Sequence, residues 1–181
     1  MKAQNTSKHG LVSGWHRSVR AILFDLGDTL IYERVDDISS LDKMTLHLRP
    51  HAAEILERLS HVLKIGLVSD TNSSSEPAVR SALKALGVEG FFSAVVTSTD
   101  VGVTKPDSRI FLEALRQMAA DAQETVMVGN DPIRDIYGAD QLGMVTILFR
   151  PTKYFEPGSE KDANYSVDSL LEIPSIIQSL I

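Results

Sequence analysis

Short apolar runs alternate with amphipathic stretches along most of this chain, and this alternation constrains the fold more than any other feature. The apolar runs have the length of buried strands, and the stretches between them have helical spacing. This pattern predicts an α/β, three-layer Rossmann-like fold, in which helices flank a parallel sheet. The predicted strands are Arg20–Phe24, Lys64–Val68, Ala94–Thr97, Thr125–Val128 and Val145–Phe149, with an edge strand at Tyr165–Val167.

The stretches between the strands predict helices with ordinary termini, such as a start at Pro77 and a stop before Gly87. The predicted helices are His51–Val62, Pro77–Leu86, Ser108–Ala119, Asp135–Leu142 and Ser169–Leu180. The 181 residues suit one domain, which we place at residues 20–181 after an N-terminal extension, residues 1–19. Residues 31–48 leave room for a flap but not for a large cap domain.

Composition narrows the function classes. The net charge of −6 argues against a nonspecific nucleic-acid binder. The chain has no cysteine, so disulfides, thiolate metal sites and cysteine nucleophiles are excluded. No apolar run approaches the ~20 residues that span a bilayer, so we expect no membrane partner, and the lack of cysteine fits the cytoplasmic location that we expect.

Polar residues stand at or just beyond the carboxyl ends of several predicted strands, where open α/β sheets bind their ligands. Alone, such a serine is typical of a turn and such a lysine of a solvated surface. Their convergence on one edge of the sheet favours a functional site instead. The residues concerned are Asp25, Ser69 with Asp70, Lys105, and Asn130 with Asp131 and Asp135.

In order and spacing, the segments that carry these residues resemble the haloacid dehalogenase (HAD) superfamily of aspartate-nucleophile phosphohydrolases. The segments are Phe24-Asp25-Leu26-Gly27-Asp28-Thr29-Leu30, Val68-Ser69-Asp70, Thr104-Lys105-Pro106-Asp107 and Val128-Gly129-Asn130-Asp131 with Asp135. The resemblance covers roughly Arg20 to Ile181 and implies a HAD-like member without a large cap domain.

The resemblance implies a role for each motif. Asp25 would attack the phosphorus of a phosphate monoester and form an aspartyl-phosphate. Ser69 would donate a hydrogen bond to the phosphoryl oxygens, and Lys105 would supply positive charge, so both are expected to be catalytic and to contact the substrate. Asp70 is expected to contact the substrate as well.

The resemblance also implies magnesium as the cofactor, which prefers hard oxygen ligands. The expected ligands are the Asp25 carboxylate, the backbone carbonyl of Gly27 and an oxygen of the fourth motif, from Asn130 or Asp131. Asp28 is expected to contact the residues that bind the metal and the substrate, and not the metal or the substrate itself. Asp135 would do the same and orient Lys105 or a metal-bound water; the alternative for Asp131 and Asp135 is that they cap the following helix.

One residue departs from the family pattern. Phosphatases of this family carry a second Asp two residues after the nucleophile, which protonates the leaving group and later activates water. This chain has Gly27 there. General acid–base catalysis of this kind typically supplies ~10²–10⁴-fold. A shift of one residue tends to reverse side-chain direction, so the sequence does not predict that Asp28 replaces it.

The sequence leaves three functions open. A magnesium-dependent phosphohydrolase is the leading hypothesis, with a phosphorylated substrate as partner. The alternative is a weak or inactive HAD-like protein that binds a phosphorylated ligand or partner, favoured by Gly27 and Asn130. A dehalogenase is disfavoured by the acidic fourth motif. An open site could borrow a lid from a second subunit, and His47 and Arg49 could contact a substrate, although a solvated surface is the more common place for them.

Overall fold

The computed structural model describes residues 18–32, 46–151 and 163–181. Most of the predicted extension (1–19) and of the predicted flap (31–48) lies outside these residues. The described part forms a parallel sheet with the strand order β3-β2-β1-β4-β5-β6. Its strands are β1 (Ala21–Phe24), β2 (Lys64–Ser69), β3 (Phe92–Thr97), β4 (Thr125–Gly129), β5 (Val145–Phe149) and β6 (Tyr165–Val167).

Helices lie in the connections from β1 to β5, and one more follows β6. They are α1 (Ala52–Ser60), α2 (Glu76–Ala85), α3 (Ser98–Val101), α4 (Ser108–Met118), α5 (Gly138–Asp140) and α6 (Ile173–Gln178). Single turns of 3-10 helix lie at Glu89–Phe91, Ala122–Glu124 and Leu170–Glu172, and a π-helical segment at Pro132–Tyr137 leads into α5.

The predicted fold class and the predicted strands are confirmed, with strand ends that differ by no more than two residues. The helix predicted at Asp135–Leu142 starts too late, because the chain already turns helical at Pro132. The helix predicted at Ser169–Leu180 begins with a 3-10 turn, which leaves Pro174 in the first turn of α6, where a missing N–H costs little. Helix α3 was not predicted, because four residues carry no readable periodicity.

Strand β1 lies in the middle of the sheet and is buried on both faces, as parallel strands usually are. Ile22 and Phe24 belong to a core that also contains apolar residues of α1, α2 and α6. Ala21 and Leu23 belong to the core on the opposite face, which contains α4 and the Ala139 of α5. The residue that follows β1 is therefore held between two packed layers.

In the described residues, no second domain covers the carboxyl edge of the sheet, as expected for a member without a large cap. None of the described helices combines the length and the apolar character needed to cross a bilayer.

Candidate active site

Several loops meet at the carboxyl edge of the sheet around Asp25. Asp25 directly follows β1, and its N–H donates to the carbonyl oxygen of Val128 in β4 (2.9 Å). Its carboxylate is buried, with Oδ1 facing Lys105 and Oδ2 facing Thr29. The register of the sheet thus places the predicted nucleophile at the centre of the edge where ligands of open α/β sheets bind.

Lys105 joins Asp25 to Asp135 in a buried ionic cluster. Its Nζ donates to Asp25 Oδ1 (2.6 Å), to Asp135 Oδ1 (2.6 Å) and to the carbonyl oxygen of Val68 (3.2 Å). Burial alone would lower the pKa of Lys105, but the two carboxylates outweigh burial and raise that pKa. The lysine is therefore a fixed positive charge beside the nucleophile.

Asp135 lies behind Lys105 and is almost completely buried. Its Oδ1 accepts from Lys105, and its Oδ2 accepts from the N–H of Asp131 (3.0 Å). Burial raises the pKa of the Asp135 carboxyl, the charge of Asp25 raises it further, and Lys105 only partly offsets the two. These contacts match the predicted task of orienting Lys105 and not the alternative of capping a helix.

Two glycines of the fourth motif make room for this cluster. A Cβ at Gly129 would lie 2.3 Å from the carboxyl carbon of Asp135, so any side chain there would displace the carboxylate. A Cβ at Gly138 would lie 2.8 Å from the ring of Phe111 and 3.0 Å from the backbone of Pro106. Both glycines are required for close approach between the third and fourth motifs.

The loop after β2 holds the backbone of the third motif. Asp70 Oδ1 accepts from the N–H of Lys105 (2.9 Å), whereas Asp70 Oδ2 is buried without a hydrogen bond in the described part of the chain. Ser69 is buried at the end of β2. Ser98 fixes the following turn, because its hydroxyl accepts from the Thr71 N–H (2.9 Å) and donates to the Thr71 carbonyl (3.1 Å).

A set of oxygens converges on the other side of Asp25. When the NH₂ group of the Asn130 amide faces these oxygens, it donates to the Gly27 carbonyl (3.2 Å), to Asp25 Oδ2 (3.3 Å) and to Thr29 Oγ1 (3.2 Å). Turned over, the same amide would present its oxygen beside those of Asp25 and Gly27. One carboxylate and two neutral carbonyl oxygens then face one point, a donor set that suits Mg²⁺ together with waters and a phosphate oxygen.

This set is poor in carboxylates. No group of three or more His, Cys, Asp or Glu residues that could hold a metal occurs in residues 18–32, 46–151 and 163–181. Among these described residues, Asp25 is the one that would bring a full negative charge to a metal held there. The residues present nevertheless fit magnesium, because hard carbonyl oxygens are among its ordinary ligands.

Asp131, the other candidate for the metal, uses both carboxylate oxygens elsewhere. Oδ1 accepts from the N–H groups of Ile133 (2.9 Å) and Arg134 (2.8 Å), and Oδ2 accepts from Arg134 Nε (2.8 Å). Burial would raise the pKa of Asp131, but these hydrogen bonds outweigh it and lower that pKa. Asp131 thus caps the helical segment that follows, as the alternative for this residue expected.

Asp28 faces away from the cluster towards Arg49. Its backbone has φ 56°, in the left-handed region, and its Oδ1 accepts from Arg49 Nη2 (2.8 Å). The Arg49 side chain is 12% exposed, and its guanidinium lies 4.5 Å from the ring centroid of Tyr32 and 5.6 Å from that of Phe149. From the sequence, Arg49 is a candidate substrate contact; in the structure, its guanidinium is paired with Asp28. The His47 carbonyl accepts from the Tyr32 N–H (3.1 Å).

Sequence reasoning assigned no role to Thr29. It is fully buried, and its hydroxyl donates to Asp25 Oδ2 (3.0 Å) and also faces Asn130 (3.2 Å). The available signal was a hydroxyl residue four positions after the nucleophile, in the turn that leaves β1. That signal alone does not distinguish a structural threonine from one that fixes the nucleophile.

The family described as haloacid dehalogenase-like hydrolase matches residues 25–149, from the candidate nucleophile to the end of β5. The chain belongs to the haloacid dehalogenase-like hydrolases. The predicted family and the predicted class of enzyme, a HAD-like hydrolase, are therefore confirmed.

Two curated relatives of this HAD-like hydrolase are phosphatases. It is 30% identical over 182 residues to a glyceraldehyde 3-phosphate phosphatase of Methanocaldococcus jannaschii, covering 99% of this chain and 75% of that protein. It is 31% identical over 140 residues to a ribulose-1,5-bisphosphate 5-phosphatase of Halopiger xanaduensis, covering 73% of this chain and 57% of that protein. The chain thus spans little more than half of the second relative.

Solved structures carry the same fold. An uncharacterized protein from Listeria monocytogenes serotype 4b superposes with a TM-score of 0.78 at 26% identity, covering 90% of this chain and 98% of that one. This agreement supports the topology that brings the four motifs to one edge.

Proposed function

We propose that this HAD-like hydrolase hydrolyses phosphate monoesters with the help of magnesium, through an aspartyl-phosphate on Asp25. The observation that carries the proposal is the buried contact among Asp25, Lys105 and Asp135, with both Lys105 ion pairs at 2.6 Å. A structural ion pair needs no second carboxylate of this kind, whereas an anionic nucleophile that approaches a phosphate needs a fixed cation beside it.

The residues divide the reaction between them. Asp25 attacks phosphorus in line, the ester P–O bond breaks, and the phosphoryl group is carried as an aspartyl-phosphate. Lys105 neutralises charge on the Oδ1 side of Asp25, and Thr29 holds Oδ2. Ser69 donates to the phosphoryl oxygens from the neighbouring strand. Water then attacks the same phosphorus, which frees Asp25 and releases phosphate.

Asp25 Oδ2, the Gly27 carbonyl and the Asn130 amide oxygen would hold magnesium, because the Asn130 amide lies 3.3 Å from Asp25 Oδ2 and 3.2 Å from the Gly27 carbonyl oxygen, and hard oxygens are the ordinary ligands of this ion. When bound, the metal supplies charge neutralisation for the phosphoryl group. Asp70 and Asp135 act through Lys105 by fixing its backbone and its ammonium group.

The names of the relatives support the substrate class. Both act on phosphorylated sugars or sugar derivatives, and both are called phosphatases. We extend to this chain only the bond they share, the phosphate ester, since residues 33–45 lie outside the described part of the chain.

A second candidate is a protein that binds a phosphorylated ligand without useful turnover. Gly27 and Asn130 favour it. Compared with the family pattern, Gly27 lacks the carboxylic acid of the second Asp, and Asn130 brings no negative charge to the proposed magnesium site. Asp25 would then be a binding residue, and its substitution by Asn would leave ligand affinity largely intact.

The test is magnesium-dependent phosphate release from p-nitrophenyl phosphate, an activated ester that barely needs an acid. We expect turnover that Asp25→Asn abolishes and chelation of magnesium suppresses. Asp121→Asn is the matched control, because this aspartate precedes β4 at the opposite edge of the sheet. Turnover that survives Asp25→Asn contradicts the proposal, and the absence of turnover in the unmodified protein favours the binding role.

A further inference from the structure

In the described part of the chain, the groups that surround Asp25 neutralise charge but present no carboxylic acid to a leaving group, and we propose that the site prefers phosphate donors whose leaving group departs as a stable anion. Acyl phosphates and phosphoanhydrides are such donors, and alkyl phosphates are not. This inference rests on the proposed function and narrows its substrate class.

The two carboxyl groups on the lysine side of Asp25 are enclosed. Asp135 is 1% exposed, and both its oxygens are engaged, by Lys105 and by the Asp131 N–H. Asp70 holds the Lys105 N–H with one oxygen, and its other oxygen is buried, 3.8 Å from Arg134 Nη1. Neither presents an oxygen to a leaving group that departs away from Asp25.

The carboxyl groups on the other side are engaged in different ways. Asp131 accepts three hydrogen bonds from the segment that it caps. Asp28 is 39% exposed, but its Oδ1 accepts from Arg49, and its left-handed backbone turns it to that partner. Gly27, between Asp25 and Asp28, has no side chain. In residues 18–32, 46–151 and 163–181, therefore, no carboxylic acid is poised to protonate a leaving oxygen.

The chemistry balances without such an acid for one class of donor. An oxygen of Asp25 bonds to phosphorus as the bond to the leaving oxygen breaks, and that oxygen keeps both electrons. A carboxylate or a phosphate holds this charge at neutral pH, since the pKa of its conjugate acid lies near or below neutrality, whereas an alkoxide requires a proton as it leaves.

The second step is common to every donor. Water adds to the phosphorus of the aspartyl-phosphate, the Asp25 carboxylate departs as an anion, and both hydrogens of the water stay on the phosphate released as H₂PO₄⁻. The missing acid therefore discriminates between donors only in the first step, which kcat/KM reports.

The experiment measures kcat/KM of the magnesium-loaded protein for acetyl phosphate, pyrophosphate, substituted phenyl phosphates and glycerol 3-phosphate. We expect a steep fall as the leaving group becomes more basic, with glycerol 3-phosphate lowest by at least the ~10²–10⁴-fold that a general acid supplies. Acetyl phosphate and pyrophosphate distinguish an acyl donor from a phosphoanhydride, and a preference for either supports the proposal.

Two variants at one position sharpen the result. Gly27→Asp should raise the ratio of kcat/KM for glycerol 3-phosphate to that for acetyl phosphate by ~10²–10⁴-fold, a ratio that cancels any effect of the substitution on magnesium binding. Gly27→Asn is the matched control, because its amide has the size of the carboxyl group but no acidic proton. If either variant fails to fold, the kcat/KM values of the unmodified protein for the same donors still test the proposal.

Comparable kcat/KM values for glycerol 3-phosphate and acetyl phosphate, with turnover that Asp25→Asn abolishes, would overturn this inference and leave the proposed function standing. Asp28→Asn and Asp70→Asn would then identify whether either residue donates the proton. The absence of Asp25-dependent turnover with every donor would overturn both proposals.

Discussion

The two sides of Asp25 are built differently. On the lysine side, Lys105 and Asp135 are buried, and both ion pairs of Lys105 measure 2.6 Å. On the loop side, formed by Gly27, Asp28 and Asn130, the contacts to Asp25 come from neutral amides and carbonyls, and the Asp28 carboxylate is turned outward to Arg49. Under the proposed function, this difference separates two tasks: the lysine side would hold charge for phosphoryl transfer, while the described part of the loop side offers no carboxylic acid to move a proton.

The largest effect is expected at Lys105, and it tests the contrast between the two sides of Asp25. Lys105→Met leaves Asp25 and Asp135 without their cation, so the free energy of unfolding should fall by about 3–5 kcal/mol and turnover should vanish. Urea denaturation measures the first effect. In the double variant Lys105→Met with Asp135→Asn, one uncompensated charge is removed, so stability should partly return while turnover does not. Unchanged stability in Lys105→Met would mean that the buried cluster contributes nothing to the fold.

A smaller effect is expected at the glycine that accommodates the lysine side. In Gly129→Ala the new methyl group would collide with the Asp135 carboxylate, so stability should fall by about 1–3 kcal/mol and turnover should fall with it. Gly90→Ala is the matched control, because no atom lies within 4 Å of a Cβ at Gly90. We expect that variant to stay within about 0.5 kcal/mol of the unmodified protein. Equal effects of the two substitutions would argue against the close packing of the cluster.

On the loop side, the metal requirement distinguishes two neighbouring residues. Asn130→Ala removes an oxygen from the proposed magnesium site, so the magnesium concentration for half-maximal turnover should rise about 10-fold or more. Asp131→Asn should leave that concentration unchanged, since asparagine also caps helices. The reverse result would move the metal contact from Asn130 to Asp131.

The smallest effect is expected at Asp28. Its ion pair with Arg49 is partly exposed, so Asp28→Asn should change the free energy of unfolding by less than about 1 kcal/mol. Turnover of p-nitrophenyl phosphate should stay within about twofold, because the Asp28 carboxylate is turned to Arg49 and a general acid contributes little to an activated ester. A large loss of turnover would show that Asp28 works in catalysis and would remove the contrast between the two sides.

The sequence predicted the parts of this site that depend on order along the chain. Alternating apolar runs located the strands, and the residue after each strand identified Asp25, Ser69 and the fourth motif. Local signals suffice here because a strand or a helix is recognised from its own periodicity. The topology of parallel sheets then brings the carboxyl ends of the strands to one edge.

Those local signals do not predict the direction in which a side chain points. The orientation of Asp28 depends on one backbone angle, φ 56°, and on an arginine 21 positions away. Thr29 meets Asn130 across 101 positions, and Lys105 meets Asp25 across 80. No periodicity reports contacts at such separations.

By itself, then, the sequence determined the fold, the family and the residues available for chemistry, because these follow from local patterning and from the spacing of motifs. Only the tertiary structure decided that Asn130 and not Asp131 faces the Gly27 carbonyl, that Asp135 supports Lys105, and that Asp28 is paired with Arg49. The physical reason is that each of these choices is made by competition among polar partners that only folding brings within hydrogen-bonding distance.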